Sequence, residues 1–160
     1  MGQIAKRHAK DPYLEPMHSI GYLTRVNFRM FSRALEQLTL PYGVSSGQWR
    51  FLRVLWEEDN ITQRELANRT GTKEATAVAS VRSLISAGLA KRTRCTQDKR
   101  KLYITLTPRA RHLRATLMPL VVQVNEIAIA GIDPEHVAIA RNVLSQTYTN
   151  LCNQLGAADD

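Results

Sequence analysis

Apolar residues recur at helical spacing along the first part of the chain. The first series extends from Leu14 to Leu38, and the segment Pro41–Gly43 then breaks it. Its apolar positions are Ile20, Leu23, Val26, Met30, Phe31, Ala34, Leu35 and Leu38. The pattern predicts a long first helix with one apolar face.

A second helix is predicted over Gly47–Glu58, with the Ser46 side chain as its N-cap. One side of this helix is apolar and the other is charged. The apolar side carries Trp49, Leu52, Leu55 and Trp56, and the charged side carries Arg50, Arg53 and Glu57. We expect the aromatic side to face the interior of the protein.

Two shorter helices follow, joined by a turn that contains glycine. The run Thr62–Glu65 has the spacing of a capping box, in which Thr62 accepts from the third helical N–H and Glu65 bonds back to the cap. This third helix is predicted to end near Thr70-Gly71. A fourth helix covers about Lys73–Ala87 and stops at Gly88, since glycine commonly follows a helix C-terminus.

The period changes from helical to alternating after Gly88. The segments Leu89–Cys95 and Lys101–Leu106 are predicted strands, and in the second one apolar and polar residues alternate. The connection over residues 96–100 is polar and charged, as is typical of the tip of a hairpin.

Two long helices complete the chain. Thr107-Pro108 supplies a cap and a proline at the first helical position, and Pro119 inside this helix predicts a kink. Asp133-Pro134 caps the last helix. The apolar positions are Ala110, Leu113, Leu117, Leu120, Val121, Val124 and Ile127 in the first of the two, and Val137, Ala140, Leu144, Tyr148, Leu151 and Leu155 in the second.

This order of elements predicts a mainly α fold with a small β-hairpin wing (α+β), a winged helix-turn-helix. The winged helix-turn-helix region covers residues 46–114, and helical regions cover residues 1–40 and 115–160. We expect a single compact domain overall, because 160 residues suit one core.

Positive charge is concentrated in the middle of the chain. The protein has a net charge of +8, and residues 62–114 alone carry 13 Lys and Arg against three acidic residues, a net of +10. Residues 1–61 carry +2 and residues 115–160 carry −4. This asymmetry favours a polyanion partner for the middle segment, and a solvated basic surface is the alternative.

Several classes of protein are excluded by what the sequence lacks. No apolar run approaches the roughly 20 residues that span a bilayer, and the basic N-terminus has no apolar stretch behind it, so we expect a cytoplasmic protein. The two cysteines and four scattered histidines have no metal-ligand spacing, and no phosphate-binding or nucleophile motif is present. We therefore predict neither an enzyme nor a cofactor or metal site.

The predicted helix-turn-helix and wing point to double-stranded DNA as the partner. The fourth helix, as the recognition helix, would enter the major groove, and the basic hairpin tip would reach phosphate or the minor groove. The candidate DNA-binding residues are Thr62, Gln63, Thr72, Lys73, Glu74, Thr76, Ser80, Arg82, Arg92, Asp98, Lys99, Arg100 and Lys101. Asp98 is expected to orient a neighbouring arginine. A packed Ala-rich helix is the alternative reading of the fourth helix, but it leaves the basic hairpin unexplained.

Four motifs of the chain resemble the MarR family of transcriptional regulators. They are Gln48–Leu52, Thr62–Ala67, Gly88–Arg92, and Asp98–Arg100 followed by Leu106-Thr107. The resemblance covers residues 14–155. It implies a homodimer formed by the first and last helices, binding to a palindromic operator, and a repressor that a small aromatic acid or phenol releases. The chain departs from many relatives at Ala79 and at Arg82-Ser83, so the operator sequence is not transferred from the family.

The resemblance also implies an effector site between the first, second and fifth helices. The candidate ligand-binding residues are His18, Tyr22, Trp49, Arg50 and Arg53, which offer aromatic, hydrogen-bonding and cationic groups for a carboxylate or phenol. The alternatives are a core tryptophan, arginines paired with Glu57 and an exposed histidine.

Two other functions remain open at this point. Cys95 lies among basic residues that would lower a thiol pKa, which is compatible with a redox-responsive regulator. Cys152 is interpreted as buried packing. A non-specific architectural DNA-binding protein would also explain the charge, but it gives no role to the two long apolar helices.

Overall fold

A computed structural model describes residues 12–94 and 102–156 of the chain. Short 3-10 turns at Pro12–Leu14 and Pro16–His18 precede the first helix. The helices are α1 (Ile20–Thr39), α2 (Ser46–Glu57), α3 (Gln63–Arg69), α4 (Glu74–Ser86), α5 (Pro108–Ile129) and α6 (Pro134–Leu155). The strands are β1 (Ile61–Thr62), β2 (Ala90–Arg94) and β3 (Leu102–Leu106). The predicted mainly α fold with a β-hairpin wing is confirmed.

The hydrophobic core lies in the helix-turn-helix and wing region, around α2. Phe51, Leu52 and Leu55 of this helix are buried, and Trp56 donates its indole N–H to the Ala110 carbonyl at 2.9 Å. The other fully buried large apolar side chains are Val44, Leu66, Val81, Leu84, Leu89, Ile104, Leu106 and Leu117. At about 1.5–3 kcal/mol for each large side chain removed from water, this cluster is the main source of stability. It packs α3, α4 and the strands of the wing against α2.

Most of the predicted helix ends are confirmed, and two predictions were wrong in detail. Helix α2 begins one residue early, because Ser45 and not Ser46 is its N-cap, in a full capping box with Gln48. Helix α1 begins at Ile20 and not near Leu14, because Pro16 sits in a 3-10 turn and Ser19 caps the helix. Of the capping box predicted at Thr62, the structure shows the bond from the Glu65 N–H to Thr62.

The start and end of the later elements follow the prediction closely. Thr107 accepts from the Ala110 N–H, and Asp133 accepts from the Glu135 N–H, each directly before a proline at the first helical position. Helix α5 continues through Pro119 without interruption. Gly88 has φ +67°, a left-handed conformation that glycine adopts easily. It follows the C-cap of α4, so it ends this helix and turns the chain toward β2.

The wing is part of a three-stranded antiparallel sheet with the strand order β1-β3-β2. Ala90 pairs with Leu106 and Arg94 with Leu102 along the hairpin. On the other edge of β3, Ile61 pairs with Ile104. Strand β1 was not predicted, because two residues are too few for an alternating pattern. The sheet anchors the wing to the residues that immediately precede α3.

Long apolar side chains lie exposed along α1, α5 and α6. Leu155 is 77% exposed, Ile127 is 65% exposed and Met30 is 60% exposed. Within the described ranges no single helix is long and apolar enough to cross a membrane, although α5 and α6, bent by 111°, meet the length and composition requirement as a pair. These side chains are not part of the buried core, so the apolar faces of the three helices are exposed in the single chain.

Candidate nucleic-acid interface

Helix α4 packs one side on the core and presents the other side outward. Ala77, Val81 and Leu84 are buried, whereas Glu74 and Thr76 are exposed. The side chain of Ala79 is also exposed and small, so a bulky partner could approach the helix closely. This arrangement is the one required of a recognition helix, in which one side is held by the protein and the other is free to reach base edges.

The beginning of α4 combines a positive helix end with cationic and hydroxyl side chains. Lys73 is the N-cap residue, with no hydrogen bond from its side chain to the helix end, and its side chain is exposed. The Thr72 hydroxyl bonds the Thr70 hydroxyl at 2.9 Å, which fixes the turn between α3 and α4. The backbone N–H groups of a helix start and the Lys73 charge attract anions, whereas the exposed Glu74 in the first turn of α4 carries the opposite charge.

The predicted DNA-binding residues that the structure describes lie on α3, α4 and the wing. Arg92 on β2 donates to Gln63 at the start of α3 at 3.0 Å, so these two candidates are in direct contact. Thr62 uses its hydroxyl to cap α3. Ser80 is half-buried and Arg82 is exposed. The candidates Asp98, Lys99, Arg100 and Lys101, together with Cys95, lie outside the described residues.

Asp59 is a structural residue of this region that the sequence pattern did not reveal. Its carboxylate accepts the Leu106 N–H at 2.8 Å and the Asn60 N–H at 2.8 Å, and it pairs with Arg111 at 2.6 Å. It therefore joins the loop after α2 to the end of β3 and the start of α5. The available signal was the run of three acidic residues Glu57-Glu58-Asp59 at the end of α2, and it carried no spacing that identified the partners of Asp59.

The electrostatics of Asp59 follow from these contacts. Partial burial raises the pKa of the carboxyl, but the hydrogen bonds from Leu106, Arg111 and Asn60 and the Arg111 charge outweigh it. The pKa of Asp59 therefore lies below its ordinary value, and the group is ionised at neutral pH.

The five predicted effector residues lie along α2 and at the start of α1 but make separate contacts. Arg50 lies over the Phe28 ring at 5.8 Å, and Arg53 pairs with Glu57 at 3.6 Å and approaches the Met118 sulfur at 3.9 Å. The remaining three are distributed as follows: Trp49 packs edge-to-face on Trp56, Tyr22 lies under Arg25, and His18 is exposed on a 3-10 turn.

A cleft of about 280 Å³ lies between the end of α2, the end of β3 and the start of α5. Its lining residues are Leu55, Trp56, Glu57, Asp59, Leu106, Arg111 and Arg114. None of the five predicted effector residues lines this cleft. Among the described residues, no three His, Cys, Asp or Glu side chains are grouped to hold a metal ion.

Comparison with known proteins identifies relatives of the region that contains these residues. The MarR family model matches residues 44–102, which contain α2, the helix-turn-helix and most of the wing. An uncharacterized HTH-type transcriptional regulator of Staphylococcus aureus is 23% identical over 129 residues, which are 79% of this chain and 88% of that protein.

Two solved structures resemble the whole fold. A MarR transcriptional regulator from Methanosarcina mazei has a TM-score of 0.77 and 25% identity, over 84% of this chain and 96% of that one. The transcriptional regulator PA3341 has a TM-score of 0.69 and 30% identity, over 83% of this chain and 98% of that one. The similarity therefore extends beyond the matched segment to the long helices at both ends.

Proposed function

The chain belongs to the MarR family of DNA-binding transcriptional regulators, and we propose that it binds a palindromic operator as a homodimer and represses transcription until a small aromatic acid or phenolic effector releases it. The observation that carries the DNA part is α4. Its buried side is fixed on the core, Lys73 and Thr76 are exposed at its N-terminal end, and the helix packs against the basic strand β2.

The experiment that tests base reading uses DNA enriched by the purified protein from a randomised duplex pool. Lys73→Ala and Thr76→Ala should each change the preference between variants of the enriched site by about 1–3 kcal/mol per base that the side chain reads. Half-sites should lie about one helical turn apart, at roughly 34–36 Å centre to centre. The measurement is a competition gel shift with single base-pair variants.

Ser86→Ala is the matched control, because Ser86 is exposed at the far end of the same helix. Its base preference should equal that of the unmodified protein. If the randomised pool yields no preferred sequence, the protein is a non-specific DNA binder and the operator part of the proposal fails.

The dimer part of the proposal is supported by the apolar faces of α1, α5 and α6. Phe28, Val122, Leu144 and Leu151 are among the exposed large apolar residues of these helices. A monomer rarely leaves so many apolar side chains on neighbouring helices in water. A second copy of the chain, related by a two-fold axis, would cover them and would place two copies of α4 for a palindromic site.

The effector part of the proposal rests on the cationic and aromatic groups between α1 and α2. Arg50 contacts α1 through Phe28, and Arg53 contacts α5 through Met118, so a ligand that pairs with either arginine would touch two helices at once. An inducer acts only if it binds the DNA-free arrangement better than the DNA-bound one. A tenfold loss of DNA affinity needs a coupling free energy of about 1.4 kcal/mol.

We expect a benzoate- or cinnamate-like compound to release the enriched DNA, and Arg53→Ala to blunt that release while DNA binding without the compound stays nearly intact. Arg114→Ala is the comparison variant, since Arg114 lines the cleft between the ends of α2 and β3 and the start of α5, away from the five predicted effector residues. Titration calorimetry and gel shifts measure both effects. If only Arg114→Ala prevents the compound from releasing DNA, the effector binds in the cleft and not at Arg53. If no aromatic acid changes the affinity for DNA, the effector part of the proposal is refuted.

A further inference from the structure

Gln48 is a buried polar residue that connects α2 directly to the recognition helix. It is only 8% exposed, and its amide makes three hydrogen bonds. Oε1 accepts the Ser45 N–H at 3.0 Å, and Nε2 donates to the Ser83 hydroxyl at 2.9 Å and to the Ser83 carbonyl at 3.3 Å. A single side chain thus both completes the N-cap of α2 and holds α4.

The same end of α2 is held from α1 by a second polar residue. Glu36 Oε1 accepts the Ser46 N–H at 2.9 Å and the Ser46 hydroxyl at 3.1 Å. The carboxylate lies at the positive end of α2, where a negative charge is favourable. The hydrogen bonds therefore run continuously from α1, through the first residues of α2, to α4.

The hydrogen bonds between Gln48 and Ser83 restrict the orientation of α4, which apolar packing alone does not fix. The contacts of Ala77, Val81 and Leu84 with the core are non-directional, so small rotations of α4 cost little in buried area. Hydrogen bonds weaken steeply when their angles change. Ser83 lies seven residues after Thr76, two helical turns along the same side of α4, so holding Ser83 also fixes the direction of the side that Thr76 presents.

We propose that Gln48 is a positioning residue for base reading, which together with Glu36 sets the angle of α4 relative to α1. The inference rests on the proposed function, because the distance between the two recognition helices of a homodimer depends on this angle in each subunit. Gln48 does not touch DNA in this proposal and acts on α4 through its two bonds to Ser83.

Point variants distinguish the two roles of the Gln48 side chain, its bonds to Ser83 on α4 and its bond to the Ser45 N–H at the start of α2. In Gln48→Glu, the new carboxylate still accepts the Ser45 N–H but has no N–H to donate to the Ser83 carbonyl, and the Ser83 hydroxyl can only donate to it. In Ser83→Ala, the hydroxyl is removed and the cap is untouched. Ser86→Ala is the control on the same helix, and Ile104→Val, in the core of the sheet, is the control for a general loss of stability.

Three readouts are compared at equal protein concentration and salt. They are the thermal midpoint, the affinity for random-sequence duplex, and the affinity for the duplex enriched by the unmodified protein, with its natural half-site spacing and with one base pair added or removed. Gln48→Glu should keep the affinity for random duplex within about twofold. It should lower the ratio of enriched to random affinity about threefold to tenfold, the factor that one hydrogen bond represents.

The spacing readout distinguishes positioning from stability. Gln48→Glu and Ser83→Ala should tolerate the altered spacings better than the unmodified protein does. The double variant, in which no bond from residue 48 to residue 83 remains, should show at least as large a change as either single variant. Unchanged ratio and spacing preference in both variants would overturn the proposal, and so would an equal change in Ile104→Val at a matched thermal midpoint. If Gln48→Glu does not fold, Ser83→Ala and Glu36→Gln carry the test. If the unmodified protein enriches no sequence, the proposed function has failed instead.

Discussion

At the scale of single residues, Asp59 joins three parts of the fold, although it was not among the candidates chosen from the sequence. It connects the loop after α2 to β3 through the Leu106 N–H and to α5 through Arg111. Hydrogen bonds to a charged acceptor are worth about 1.5–3 kcal/mol when partly buried, and solvent exposure of the arginine reduces the value here. The base of the wing therefore depends on one ionised carboxylate.

We expect Asp59→Asn to destabilise the protein by about 1–2 kcal/mol at neutral pH, because the ion pair with Arg111 is removed while an oxygen acceptor remains for Leu106. Because the pKa of Asp59 is lower in the folded state, its contribution to the free energy of unfolding is fully present above the ordinary pKa of 3.8 and is lost as pH falls through the folded value. Urea unfolding from pH 7 to pH 3 measures this.

Glu58→Gln is the matched control for this prediction. It removes the same charge one residue earlier, from an exposed pair with Arg69 at 2.6 Å, and exposed pairs contribute little. The two variants should differ at pH 7 and converge in the acid range. A constant difference between Asp59→Asn and the unmodified protein down to pH 3 would contradict the proposed role of the ionised carboxylate.

At the scale of elements, the wing and α3 act as one surface because Arg92 and Gln63 are bonded across them. If Arg92 contacts a DNA phosphate, Arg92→Ala should weaken binding to every sequence alike. It should also reduce the slope of log affinity against log salt by about 0.9, the value for one phosphate contact. The measurement is a salt titration with enriched and random duplexes.

A second wing variant gives the comparison. Arg100 is a predicted phosphate or minor-groove contact at the hairpin tip, outside the described residues. Arg100→Ala should flatten the salt dependence in the same way. An unchanged slope in both variants would remove the wing from the DNA-binding surface and leave α4 as its main element.

At the scale of the whole molecule, the core and the apolar surface are in different places. The buried cluster lies around α2 and the wing, whereas the exposed apolar side chains follow α1, α5 and α6. The acidic C-terminal segment, with a net charge of −4, is also poorly suited to DNA. The basic helix-turn-helix and wing therefore suit a polyanion, whereas the exposed apolar faces of α1, α5 and α6 suit a protein surface.

We expect deletion of residues 137–160 to abolish dimerisation and operator binding together, because it removes most of the apolar face of α6. Sedimentation velocity should show monomers or aggregates in place of a species of twice the chain mass of 18.0 kDa. A monodisperse truncated monomer that still binds the enriched duplex with full affinity would contradict the proposed dimer interface.

Much of the fold was predictable because its signals are local. Helix periodicity, the caps Thr107 and Asp133, and the glycine at position 88 each depend on residues within one or two turns, and the structure confirms them. The cap of α2 was misplaced at Ser46 although a local signal was present, since Ser45 and Gln48 have the Ser-x-x-Gln spacing of a capping box. The limit of local reasoning is the second role of Gln48, its bond to Ser83, which is 35 residues away.

Local patterns were sufficient for the order of the elements, the basic helix-turn-helix and wing, and the apolar faces of the long helices, since charge and periodicity are properties of neighbouring residues. Contacts between residues that are far apart in the sequence could be known only from the folded structure. Folding paired β1 with β3, joined Asp59 to Leu106 and Arg111, and connected Gln48 to Ser83. It also directed Arg50 toward Phe28 and Arg53 toward Met118, although both arginines occupy the same predicted side of α2. Such contacts depend on how helices cross, because that geometry follows from the packing of the whole core rather than from any local pattern.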